Sequence, residues 1–212
     1  MSQFTAQTTG EEVCEAFASQ VKGKTFLITG TSANGLGAKF ATILAKYSPA
    51  QIILVSRSKS KVDPVIGEIK SADSSISVKF VPCELSDQES VRSAAEAVIS
   101  DAEIQKIDVV VNNAGLMALL EYQVDKQGNE MQFSANHLGH FLLTNLVMPK
   151  IIAAGAGARI INLTSLGHRI GPFRFNDPKF GGGKECKSKG HPRGASWSGP
   201  GLCCRCAPCV LD

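Results

Sequence analysis

The chain has little excess charge of either sign. Its 22 lysines and arginines against 19 aspartates and glutamates leave a formal net charge of +3, too small and too dispersed to attract a nucleic acid. Long apolar runs are missing as well. The first twenty residues carry Glu11, Glu12 and Glu15 and no apolar stretch, which excludes a secretory signal there. The segment from Phe141 to Ala156 is interrupted by Asn145, Pro149 and Lys150, which excludes a membrane span. Cysteine is scarce through most of the chain, where Cys14 and Cys83 stand alone, but Cys186, Cys203, Cys204, Cys206 and Cys209 crowd into its last part. Two kinds of sequence are joined. The larger one reads as a soluble, cytoplasmic protein with a small-molecule ligand.

At 212 residues, one hydrophobic core is expected. Thr9 and Glu12 make a capping box for a short helix from Gly10 to about Gln20, packed outside the sheet. Thr25–Gly30 is an apolar run of strand length, followed by helical spacing at Leu36, Phe40, Ile43 and Leu44. Gln51–Ser56 and Ile76–Val81 read as further strands. Between them, Asp63 and Pro64 are expected to serve as N-cap and first-turn proline of a helix. Ser86 with Glu89 predicts another capping box, opening a helix through Ile99. Ile107–Asn112 is a buried strand, Asn129 to about Ile152 one long helix, and Ala158–Ser165 a fifth strand. Strands alternating with helices give a doubly wound α/β fold with a parallel sheet, expected in the order 3-2-1-4-5.

Beyond Phe180 this pattern stops. Residues 181–212 are rich in Gly, Pro, Cys, Ser and basic side chains and have no apolar period, so a disordered tail is expected after a domain spanning 1–180. Cys203, Cys206 and Cys209 form overlapping C-x-x-C pairs, but with one ligand shared and no structured second half, no metal site is assigned.

The chemistry lies at the ends of the strands. In TGTSANGLG, Thr29 to Gly37, the turn between the first strand and the first helix carries Gly30, Gly35 and Gly37. Glycine allows a tight turn and close approach of backbone to phosphates, and the free amides of the helix start favour negative charge. The NNAG run, Asn112 to Gly115, closes the fourth strand about eighty residues later. These two motifs resemble the short-chain dehydrogenase/reductase family, of the retinol-dehydrogenase-like type found in fungal secondary metabolism. The family pattern is TGxxxGxG. Here four residues separate Gly30 from Gly35 where three are usual, which leaves open whether Thr31, Ser32 or Asn34 meets a phosphate.

The resemblance implies a Rossmann-type domain, incomplete here, and a cofactor site of Gly30, Ser32, Asn34, Gly35, Leu36, Gly37, Arg57, Glu84, Asn113, Ala114 and Gly115. Ser56 and Arg57 stand where enzymes preferring NAD place an acidic residue, so NADP(H) is the expected cofactor. Glu84 takes the place of an aspartate that contacts adenine. By the same resemblance Asn136 belongs to the catalytic tetrad, holding a water of the proton relay, and Ser165 hydrogen-bonds the substrate oxygen. A small ketone or alcohol is the implied substrate, and a homo-oligomer is open to a full-length form.

His137 and His140 have metal-like spacing but no evident partner, so no metal is expected. The family's tyrosine and lysine follow the serine in YxxxK. No tyrosine follows Ser165 here. Tyr122 and Lys126 match the spacing, but they precede the long helix and read as a chance match. The family likeness runs from about Lys22 to Phe180, and the tail reads as a frame-shifted or mis-spliced replacement. The expected chain is therefore an oxidoreductase of doubtful activity or, alternatively, a nucleotide-binding pseudoenzyme, with the fifth strand left as an unprotected apolar edge.

Overall fold

In the computed structural model the described residues are 4–117, 119–165 and 175–179. The cysteine-rich segment expected to be disordered, 181–212, and His168 lie outside them. Five parallel strands, β1 (Thr25–Thr29), β2 (Gln51–Ser56), β3 (Ser77–Pro82), β4 (Val109–Asn112) and β5 (Arg159–Asn162), form one sheet in the order β3-β2-β1-β4-β5. The register sets Ile28 beside Leu54 and Val111.

β1 and β2 are buried on both faces, which is why they read as continuous apolar runs rather than alternating ones. Successive side chains feed two cores. Leu27, Ile53 and Val55 pack with Val91, Val98 and Leu143 on one face. Phe26, Ile28, Ile52 and Leu54 pack with Leu44, Val62 and Ile69 on the other. The helices that cover these faces are α3 (Leu36–Ala45), α4 (Lys59–Ala72), α5 (Gln88–Ser100) and α7 (Gly139–Leu146).

The N-terminal helix is split into α1 (Gly10–Ala16) and α2 (Ala18–Val21), and its capping box is formed, with Glu12 N donating to Thr9 Oγ1 at 3.2 Å and Thr9 N to Glu12 Oε2 at 2.6 Å. Three expectations need correction. Asp63 and Pro64 do not open α4; the helix starts after Ser58 and Pro64 lies inside it. Val62, Val65 and Ile69 form a buried stripe that holds the helix together, while the carbonyl left without its proline partner, that of Ser60, is on an exposed residue that water can reach. The cap of α5 is Asp87, which accepts from Glu89 N at 3.1 Å; Ser86 instead donates its hydroxyl to Glu84 Oε1 at 2.9 Å.

The long helix is the third correction. It is divided into α6 (Met131–Phe133), a π-helical turn (Ser134–Leu138), α7 and α8 (Met148–Ile152). Residue 147 interrupts it just before Pro149, and the π turn falls on Asn136. Among the described residues no helix is long and apolar enough to cross a membrane.

Candidate functional site

In a parallel sheet the helices leave in opposite directions where the chain switches from one side of β1 to the other, and a crevice opens at the carboxyl ends of the strands. Here that point lies between β1 and β4. Two adjoining clefts occupy it. One, of about 330 Å³, is lined by Gly30, Ser32, Leu36, Arg57, Glu84 and Asn113 to Leu116, with Val55, Ser56, Cys83, Leu85 and Ala135. The other, of about 560 Å³, continues across the same NNAG ridge to Asn136, His137, His140, Phe141, Ile160 and Ser165.

The structure thus gathers eight of the eleven cofactor residues expected from sequence into one cleft, and both catalytic ones into its neighbour. Asn34, Gly35 and Gly37 do not line the first cleft; they shape it. Asn34 takes a left-handed conformation, φ 66°, within the four residues that separate Gly30 from Gly35. Gly30 has φ 73°, and a Cβ there would lie 2.7 Å from Ala114 Cα. A Cβ on Gly37 would lie 2.6 Å from both Gly30 O and Asn113 Nδ2. The glycine turn is therefore pressed directly against the NNAG turn. Of the three loop residues left open, Thr31 is wholly buried and only Ser32 lines the cleft, its hydroxyl 3.3 Å from that of Ser56.

The donors of the turn fit a phosphate-bearing ligand. Gly30 N, Ala33 N and Gly35 N bond Val55 O, Lys61 O and Ser32 O, whereas α3 has Gly35 as its N-cap and no side-chain cap, so the amides of its first turn, from Leu36 on, keep their capacity for an anion. At the far side of the cleft Arg57 Nη1 donates to Glu84 Oε2 at 3.3 Å, and Ser86 N and Oγ donate to Glu84 Oε1 at 3.2 and 2.9 Å. Cys83 also lines this cleft, but burial first, and then Glu84 and Asp87, push its thiol up to about 12, so it is no nucleophile.

A buried network that sequence reading missed holds the NNAG turn. Thr29 Oγ1 accepts from Asn113 N at 2.9 Å and Ala114 N at 3.0 Å, and lies 2.8 Å from His140 Nε2. Asn113 Nδ2 donates back to Thr29 O at 2.8 Å. His140 Nδ1 lies 2.9 Å from Asn136 O. Asn136 clamps the segment after the turn, its Oδ1 accepting from Leu116 N at 2.7 Å and its Nδ2 donating to Leu116 O at 2.8 Å. The paired histidines thus serve packing and polar support: His140 joins this network, and His137 stacks between Phe133 and Phe141 with ring centroids 5.5 and 6.3 Å away. Among the described residues no group of His, Cys, Asp and Glu could hold a metal.

Tyr122 and Lys126 do not form a displaced proton-donating pair. Tyr122 donates to Lys179 O at 2.8 Å and Lys126 to Asp87 Oδ2 at 2.6 Å, and neither lines either cleft. Ser165 lines the larger cleft together with Thr164.

Comparison with known proteins agrees with this geometry. The family model described as short chain dehydrogenase matches residues 24–176. Oxidoreductase fscI of Fusarium equiseti is 32% identical, over 92% of this chain and 80% of its own length, a share that carries the likeness beyond Phe180, where sequence reading had it end. Human retinol dehydrogenase 13 is 38% identical, over 74% of this chain but only 46% of its own length, so the chain spans about half of that relative. Among solved structures, the NADH-dependent reductase A1-R′ complexed with NAD superposes with a TM-score of 0.60 at 24% identity, covering 73% of this chain and 64% of the other. The chain is a member of the short-chain dehydrogenase family, whose oxidoreductases bind a nicotinamide cofactor and act on small molecules.

Proposed function

We propose that the two clefts together form the site of an NADP(H)-dependent carbonyl reductase or alcohol dehydrogenase, the adenosine half of the cofactor in the smaller cleft and the nicotinamide in the larger. The observation that carries this reading is that Arg57, Ser32 and the NNAG turn line one cleft beside the uncapped start of α3. Gly30, Gly35, Gly37 and Asn34 would let the backbone reach the pyrophosphate. Ser32, Leu36, Glu84, Asn113, Ala114 and Gly115 would line the dinucleotide, and Arg57 would face the 2′-phosphate. The bound dinucleotide supplies or accepts the hydride.

In the larger cleft Ser165 would hydrogen-bond the substrate oxygen, and Asn136 would position the backbone around it. Leu116, Met117, Phe141, Ile160 and Leu163 make the rest of that cleft largely apolar, which suits a hydrophobic ketone or alcohol. A retinol-like alcohol, after the relatives' name, or a polyketide-like or terpenoid ketone of secondary metabolism fits that description.

Reduction also needs a proton for the developing alkoxide. The donor that the family places after Ser165 is not among these 212 residues, and Tyr122 is engaged elsewhere. The second reading, a dinucleotide-binding chain without turnover, is favoured for the chain as it stands by that observation. Purified protein is expected to enhance NADPH fluorescence on binding and to show no ketone-dependent NADPH oxidation. Steady, ketone-dependent oxidation that survives Tyr122→Phe would overturn the account of the missing donor, and a folded protein that binds neither NADPH nor NADH would overturn the site itself.

A further inference from the structure

The ion pair in the smaller cleft carries a consequence for cofactor choice. Glu84 stands where the family resemblance would give it to the adenine, but both of its oxygens already have partners. Oε1 accepts from Ser86 N and Ser86 Oγ, at 3.2 and 2.9 Å, and Oε2 accepts from Arg57 Nη1 at 3.3 Å. Its own backbone is fixed too, with Glu84 N donating to Ser90 Oγ at 2.9 Å. The carboxylate is thus held in place from its own side of the cleft, at the start of α5. The arginine is the looser member, its side chain 63% exposed against 37% for that of Glu84.

We infer that Glu84 is a specificity-determining residue whose negative charge, set on Arg57 within the cleft, holds down the preference for a 2′-phosphorylated dinucleotide and leaves the non-phosphorylated one a partner. This rests on the reading of the smaller cleft as the adenosine site. A 2′-phosphate brought to Arg57 has to displace Glu84 Oε2 from the guanidinium or share it, and in either case two anions are set near one cation. A free ribose 2′-hydroxyl meets no such repulsion. It is a donor, and the anchored carboxylate can accept from it, because Oε2 takes one hydrogen bond from Arg57 and keeps a second lone pair. Ser32 and Ser56, whose hydroxyls lie 3.3 Å apart in the same cleft, carry no charge and so set no such repulsion against either form. The pair is exposed enough to open, so the effect is a graded bias rather than an exclusion.

The test compares dissociation constants of NADPH and NADH, read from the fluorescence of the reduced nicotinamide, for the whole chain and for Glu84→Gln and Arg57→Ala. Glutamine keeps the size of the side chain and an oxygen for Ser86 but removes the charge. Glu84→Gln is expected to shift the ratio of affinities about fivefold toward NADPH, an effect of the size that one partly exposed charge exerts. Arg57→Ala is expected to shift it the other way. Calorimetry with adenosine 2′,5′-bisphosphate and with 5′-AMP reads the same difference on the adenosine half alone, without the nicotinamide side of the cleft.

Circular dichroism on each variant separates loss of fold from loss of binding, and Ser86→Ala, which removes one anchor of Oε1, supplies a second, milder perturbation expected to move the ratio in the same direction as Glu84→Gln. If wild type binds and the ratio stays unchanged in Glu84→Gln and in Ser86→Ala, the inference fails while the cofactor site stands. If the folded wild type binds none of the four probes, the cofactor reading fails and takes the inference with it.

Discussion

Thr29 ties three parts of the site together through one oxygen. Asn113 N and Ala114 N both donate to it, at 2.9 and 3.0 Å, which fills its two lone pairs and leaves its own proton for His140 Nε2 at 2.8 Å; Val111 O, at 3.5 Å, is a poor competitor. Asn136 O can only accept, so the proton of His140 must sit on Nδ1. A neutral histidine satisfies every group, whereas a second ring proton would point at an oxygen that already has two donors. Burial also pushes the pKa of His140 down, with His137 nearby adding to it, and burial lowers that of His137. Because the unfolded chain takes up these protons near the ordinary histidine pKa of about 6.5, the stability they represent is complete above that pH and is lost as pH falls below it. Burial alone would raise the Asp108 and Asp125 carboxyls, yet their N–H, hydroxyl, amide and ammonium partners hold both below the usual range, so their contribution is lost only in more acid solution. The urea midpoint is therefore expected to fall between pH 7 and pH 5 in wild type, and less steeply in His140→Gln; equal slopes would remove His140 from the account. Thr29→Val, which orphans two buried-side N–H groups and the imidazole, is expected to cost about 3 kcal/mol in the same assay at pH 7.5.

At the scale of elements, two glycines in helices make opposite predictions. In α7 a Cβ on Gly139 would lie 2.1 Å from Leu85 O, a backbone atom that cannot swing aside. Gly139→Ala must push α7 away from the segment after β3, and a loss of about 3 kcal/mol is expected from overpacking of this kind. Leu85 and Ala135 line the smaller cleft, so dinucleotide affinity should fall with it. In α4 nothing lies within 4 Å of a Cβ on Gly67, and Gly67→Ala is expected to stabilise by about 1 kcal/mol through helix propensity. Urea denaturation of the two variants checks both signs. The contrast also explains what was legible beforehand. β1, β2 and β4, the glycine turn and the NNAG turn could be read because each is a local pattern with one physical cause. Pro64 misled because a buried stripe at helical spacing, Val62 with Val65 and Ile69 three and seven residues on, outweighs a single missing hydrogen bond. The partners of Thr29 and of Gly139 could not be read at all: His140 is 111 positions from Thr29, and no local spacing marks either contact.

For the whole molecule, the two edges of the sheet are treated differently. The β3 edge carries Lys79, paired with Asp101 and Glu103, and ends in Pro82, both of which discourage another strand from adding on. β5 has Arg159 at its start and then Ile160 and Ile161, which are 41% and 42% exposed, with Leu163 38% exposed just beyond. Among the described residues no strand pairs with its outer side, and that edge with its apolar side chains favours pairing between copies of the chain. Since strand side chains alternate, Ile160 and Asn162 face the larger cleft while Ile161 faces away from it. Ile161→Lys therefore puts a charge on the edge without entering the site. Sedimentation velocity across a concentration series is expected to show wild type associating and Ile161→Lys shifted toward monomer, with NADPH binding unchanged. If both proteins sediment alike at every concentration, the exposed edge is not what draws copies together. If the lysine variant loses NADPH binding while remaining folded, the assignment of Ile161 to the face away from the cleft is wrong.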